Sequence, residues 1–83
     1  MDQNFPNSFN PSTMIKYQIP QYGFVTLRIY DILGSEVKTL VNEYKEIGRY
    51  EVKFDASDLP SGMYIYQLKS GEFISSKKMM LVK

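Results

Sequence analysis

Asp55 and Asp58, with Ser57 between them, offer the most concentrated set of side-chain oxygens in the chain. Paired carboxylates divide general-acid and general-base work when their surroundings push their pKa values apart. Oxygen ligands of this kind also suit calcium. The setting argues against both uses. Pro60 and Gly62 follow closely, and in such turns Asp side chains bond their own backbone. A third carboxylate and the spacing of known calcium loops are missing. His and Cys are absent altogether, which removes the commonest general base, nucleophile and transition-metal ligands. No glycine-rich run follows a strand and opens a helix, so a phosphate cradle is not expected. The chain reads as non-catalytic, with no cofactor and no metal.

Aromatic residues raise a different chemistry. Seven Tyr and five Phe could stack on sugars or bases. Tyr17, Tyr50, Tyr64 and Tyr66 fall on apolar rows, where core duty is the ordinary explanation. Tyr22, Tyr30 and Tyr44 remain free but lie in separate segments, so a carbohydrate-binding face is the weaker reading. The run Ser75–Lys83 combines apolar Met79, Met80, Leu81 and Val82 with Lys77, Lys78 and Lys83. As structure, it is an edge strand whose lysines discourage pairing with other chains. As function, it is a strand offered to a receptor, with Lys78 and Lys83 as orienting charges.

Strands must position these groups. Ile15, Tyr17 and Ile19 alternate with Lys16 and Gln18, the period of a half-buried strand over Thr13–Ile19. Phe24–Asp31 repeats the pattern with Val25, Leu27 and Ile29. Glu36–Val41 follows, and there the three-residue step from Val37 to Leu40 breaks alternation and predicts a bulge or a switch of sheets. Asn42–Ile47 reads as a solvated loop anchored by Tyr44 and Ile47. Tyr50, Val52 and Phe54 mark the next strand, opened by Gly48. Tyr64, Tyr66 and Leu68 mark another, after a turn. That corner resembles the tyrosine corner of immunoglobulin-like sandwiches, in which a buried ring sends its hydroxyl back to the upstream backbone, with Tyr64 as the ring. Phe73–Val82 closes the chain, apolar on both faces at its end. Residues 3–12 hold two prolines and three asparagines; they form an extended lead-in in which Phe5 and Phe9 plug the core. Six to seven short strands predict an all-β, immunoglobulin-like antiparallel β-sandwich.

Size and charge bound the rest. Residues 1–83 make one domain, and Met1-Asp2 reads as an expression start set at its boundary. A net charge of +1 is not the footprint of a nucleic-acid binder. No apolar run is long enough to span a bilayer. An exposed last strand could also pair with its twin in a homodimer.

Several motifs together resemble a known family. They are Asn4-Phe5-Pro6-Asn7, Phe9-Asn10-Pro11-Ser12-Thr13, Tyr30-Asp31-Ile32-Leu33-Gly34 with Val37, and Gly48-Arg49-Tyr50. Leu59, Ser61, Gly62, Tyr64, Tyr66 and Leu68 follow at fixed spacing, and Lys78 and Lys83 close the set. This order is similar to the type A C-terminal sorting domain of the type IX (Por) secretion system; the first half also resembles the immunoglobulin-like domain of flagellar hook-capping proteins. Ser8 stands where the sorting family usually has a second Pro. The resemblance implies a non-catalytic address fused behind a secreted cargo domain of a Bacteroidetes-type bacterium. The cargo would cross the periplasm, reach the outer-membrane translocon, and be cleaved by its sortase-like peptidase at or before Gln3. It would finish at the cell surface or outside the cell. Gly48, Tyr50, Gly62, Tyr64, Lys78 and Lys83 carry the family's motif. Met79, Met80, Leu81 and Val82 are the expected docking run. An immunoglobulin-like spacer and a carbohydrate-binding module are the alternatives.

Overall fold

Seven strands and no helix make up the computed structural model, which describes residues 1–83. In chain order they are β1 (Ser8–Phe9), β2 (Ser12–Ile19), β3 (Gly23–Asp31), β4 (Glu36–Lys45), β5 (Gly48–Asp55), β6 (Gly62–Ser70) and β7 (Phe73–Leu81). Two-residue periodicity places one row of each central strand inward. Ile15, Tyr17 and Ile19 are buried from β2, and Val25, Leu27 and Ile29 from β3. Tyr64, Tyr66 and Leu68 join them from β6, with Phe54 from β5 and Met79 and Leu81 from β7.

The strands form two sheets, a larger one in the order β1-β7-β6-β3-β4 and a pair, β2-β5. The third, sixth and seventh strands adjoin in one sheet while the second pairs the fifth in the other. That is the central arrangement of an immunoglobulin-like sandwich. Pairing is antiparallel throughout except between β1 and β7, which run parallel, with Ser8 opposite Met80 and Phe9 opposite Leu81. The exception follows from the path of the lead-in. Residues 2–5 run against the outer edge of β2, where the Asp2 N–H donates to the Lys16 carbonyl and Phe5 and Met14 exchange hydrogen bonds. The chain then crosses to the outer edge of β7, and so arrives in that strand's own direction.

Phe9 plugs the core as expected, its ring 5.9 Å from that of Phe54. Phe5 does not; it stays 82% exposed. Its backbone is committed to the β2 edge, and the side chain is turned to solvent.

The irregularity of the fourth strand is where the spacing placed it. Register against β3 shifts twice, and the residues stepped over are Leu40 and Val37. Both bulged side chains pack against the core. The expected loop at Asn42–Ile47 is corrected: β4 continues through Lys45, with Asn42, Glu43, Tyr44 and Lys45 opposite Thr26, Val25, Phe24 and Gly23. Nor do Tyr44 and Ile47 anchor the core, since both are exposed. β4 is the outermost strand of its sheet, so its polar residues face water while its backbone remains paired. Polarity there marks an edge, not a loop.

Candidate recognition surface

Two Gly-x-Tyr sequences stand where the chain passes between sheets. After β4, Gly48 takes φ 156°, and after β5, Gly62 takes φ 152°, a region that side-chain-bearing residues rarely enter. Two residues beyond each glycine a tyrosine folds back. The Tyr50 hydroxyl donates to the Glu46 carbonyl at 2.8 Å, and the Tyr64 hydroxyl to the Pro60 carbonyl at 2.7 Å. The second is the tyrosine corner expected from the sequence. The first is the same staple at the opposite end of the sandwich. These four motif residues therefore sit at the crossings and hold them.

Both rings are further held. Tyr50 stacks on Tyr17 at 5.5 Å, and the Lys45 ammonium lies 4.8 Å above its ring. Glu43 pairs with the same ammonium at 3.1 Å. Gly62, Tyr64 and the end of β7 come together: Gly62 lies opposite Leu81, and Tyr64 opposite Met79. Gly48 and Tyr50 sit at the other end, beside Ile19 and Tyr17.

The run Lys78–Lys83 divides by face. Met79 and Leu81 are core, whereas Lys78 and Val82 are exposed and Met80 is half-buried. The edge over this run is occupied: the Met80 N–H donates to the Asn7 carbonyl, the Val82 N–H to the Phe9 carbonyl, and the Gln3 amide to the Lys78 carbonyl. By the same period the backbone of Ile74 and Ser76 faces the open part of the edge. Lys83 is pinned, its ammonium on the Ser57 carbonyl at 2.8 Å and its N–H on the Ser61 hydroxyl. Val82 and Lys83 thus share one end with the β5–β6 corner.

That corner behaves as a turn. The Ser57 N–H donates to Asp55 Oδ1 at 2.9 Å, and this bond holds the Asp55 carboxyl below its ordinary pKa. Lys38 lies 3.7 Å from Asp58.

Sequence reading did not find the lead-in's lock. The Tyr66 hydroxyl, fully buried, accepts the Asn4 N–H at 2.7 Å and donates to the Asp2 carbonyl at 2.8 Å. The buried Asn4 amide also donates to the Thr13 hydroxyl and the Pro6 carbonyl. The Tyr66 partners lie far away in sequence, and no local pattern pointed to them. Tyr22, Phe24 and Tyr44 also meet, although the sequence had Tyr22 and Tyr44 scattered. The Tyr22 and Tyr44 rings stack at 5.7 Å, and Phe24 stands edge-on to Tyr44 at 5.1 Å.

Burial raises the pKa of Tyr17, Tyr64 and Tyr66 above the ordinary 10.0. Lys45 is raised too, chiefly by its bond to Glu43. Each group therefore holds its proton more tightly folded than unfolded, so stability present below pH about 10 is lost as pH rises through the folded values. Urea midpoints should fall between pH about 9 and about 11, less steeply in Tyr66→Phe, which removes one of the titrating phenols. Equal midpoints at the two pH values would contradict the assignment.

Comparison with protein families matches residues 3–83 to the secretion system C-terminal sorting domain. Comparison with curated proteins and with solved structures gives no match.

Proposed function

The chain belongs to the family of secretion system C-terminal sorting domains, and from that premise we propose how it is read: as a folded address, gripped along the outward side of its last strand. A sorting domain of type IX secretion acts with that machinery on a fused cargo bound for the cell surface or beyond. The observation that carries the folded-address reading is coincidence of extent. The matched residues 3–83 take in every strand of the sandwich, not a short terminal tag. The motif tyrosines serve the fold, which leaves recognition to the surface they stabilise.

In this reading Lys78, Met80, Val82 and Lys83 face the translocon, while Met79 and Leu81 hold the strand in the core. The cargo waits in the periplasm, crosses with the sandwich folded, and is then freed by the sortase-like peptidase at or before Gln3. Supporting the last point, the backbone of Asp2 to Phe5 is hydrogen-bonded into the fold and Asn4 is buried, and backbone tied down by hydrogen bonds resists proteolysis.

The test fuses residues 1–83 behind a reporter bearing an export signal, in a bacterium with type IX secretion. Reporter should reach the surface or medium, and should stay periplasmic when the translocon is deleted. Periplasmic retention in both strains would overturn the sorting role. Deleting Met79–Lys83 is not diagnostic for docking, because it removes two core residues. Lys78→Glu with Val82→Asp changes only exposed side chains. That pair should trap the reporter with its urea midpoint unmoved; undiminished export would remove this face from docking.

A further inference from the structure

At the end of the sandwich far from Lys83, the outer face of the larger sheet carries an aromatic platform, and we infer that it binds a neutral oligosaccharide. Tyr22, Phe24 and Tyr44 are 59%, 45% and 62% exposed, yet they are packed on one another and not spread through solvent. Phe24 and Tyr44 are a cross-strand pair of β3 and β4. Tyr22 is carried by the short β2–β3 connection between Pro20, which fixes its own φ, and Gly23. Each ring thus braces its neighbour, and the platform exists before any ligand arrives, which spares binding the cost of ordering it.

Singly exposed aromatics need no explanation. A braced cluster beside a cleft does. The cleft runs between the β2–β3 connection and the β6–β7 turn, encloses about 420 Å³, and is lined among others by Gln21, Tyr22, Phe24, Glu72 and Phe73. That volume falls within the roughly 300–1,000 Å³ of small-ligand sites. Its chemistry selects the occupant. A sugar ring presents an apolar C–H face, which suits an aromatic ring, and a rim of hydroxyls, which suits the Gln21 amide, the Glu72 carboxylate and the tyrosine hydroxyls. No Lys or Arg lines the cleft. Of the nearby cations, Lys45 is held by Glu43 and the Tyr50 ring, and Lys69, exposed on the same face opposite Thr26, is a single charge with the Glu72 carboxylate lining the cleft. A nucleic acid or an anionic lipid is held by several cations together, so a neutral saccharide fits this face better than those do. The inference stands independently of the sorting role. Val82 and Lys83 lie at the opposite end of the sandwich from the platform.

The test is an amide chemical-shift titration of the full 83-residue chain with cellohexaose, xylohexaose and mannohexaose in turn, and with oligothymidylate. At least one of the three sugars should give saturable shifts confined to Gln21–Phe24, Tyr44 and Gly71–Phe73. Tyr22→Ala and Tyr44→Ala should each weaken it by about tenfold, the loss of one stacking ring. Tyr44→Phe, which keeps the ring, should bind within a few-fold of the natural sequence. Unperturbed amides outside the platform verify that each variant is folded. No saturable shift with any sugar, equal binding by the Ala variants, or tighter binding of oligothymidylate would each overturn the inference.

Discussion

A Phe54→Ala domain should stop delivering its cargo and should unfold far more readily than the natural sequence. Phe54 lies next to the last residue of β5, is wholly buried, and packs its ring against Phe9, with the Lys38 ammonium 5.7 Å from the ring centre. Truncating a buried Phe costs about 3–5 kcal/mol once the cavity is included. A domain of this size holds on the order of 4–12 kcal/mol in all. The loss is therefore a large share of the total, and at the lower end of that range it leaves the chain mostly unfolded. Phe54 is no part of the motif set Gly48, Tyr50, Gly62, Tyr64, Lys78 and Lys83, so a machinery reading only those residues as linear sequence would not notice the change. Calorimetry on the purified variant, paired with surface display of the reporter fusion, separates the two cases. Normal display at a temperature where the variant is unfolded would end the folded-address reading.

Tyr66→Phe should release the lead-in while leaving the sandwich standing. The change deletes one oxygen and no ring, so the core keeps its volume. What it loses is the acceptor for the Asn4 N–H and the donor to the Asp2 carbonyl. Asn4 is only 2% exposed, and leaving a buried polar group without its partner costs about 1–3 kcal/mol. The penalty falls on residues 2–5, so they detach before anything else does. Hydrogen exchange at Asn4 should accelerate by one to two orders of magnitude, on the order of the factor those energies set. Amides of β3 and β6 should shift far less. An unchanged exchange rate at Asn4 would mean that Thr13 and Gln3 hold the segment without the hydroxyl.

The contrast between these two residues shows what the sequence discloses. Phe54 is announced by its neighbours, because Tyr50, Val52 and Phe54 repeat every second residue and one face of a strand must be buried. Tyr66 is announced as core in the same way, but its hydroxyl's partners lie 62 and 64 residues away, beyond any local pattern. Turn chemistry was legible where it was local. The Tyr64 staple spans four residues, and the bulged Val37 and Leu40 betray themselves by their spacing. Pairing across the sheet was not. Phe24 and Tyr44 become neighbours only because β4 runs on through Lys45, and the charges at Glu43 and Lys45 disguise that extension. The outward turn of Phe5 was hidden for a related reason: backbone bonding to β2, rather than hydrophobicity, decides where its side chain points.

The parallel contact of β1 with β7 has a mechanical meaning. Residues 7–9 and the end of the last strand lie side by side and run the same way. A cargo drawn from the first residues while Lys83 is held would slide these strands lengthwise past each other. The bonds at Asn7, Phe9 and Gln3 would then be strained together instead of opening one by one, as they would if the strands were unzipped. Traction along that line is resisted by these bonds collectively.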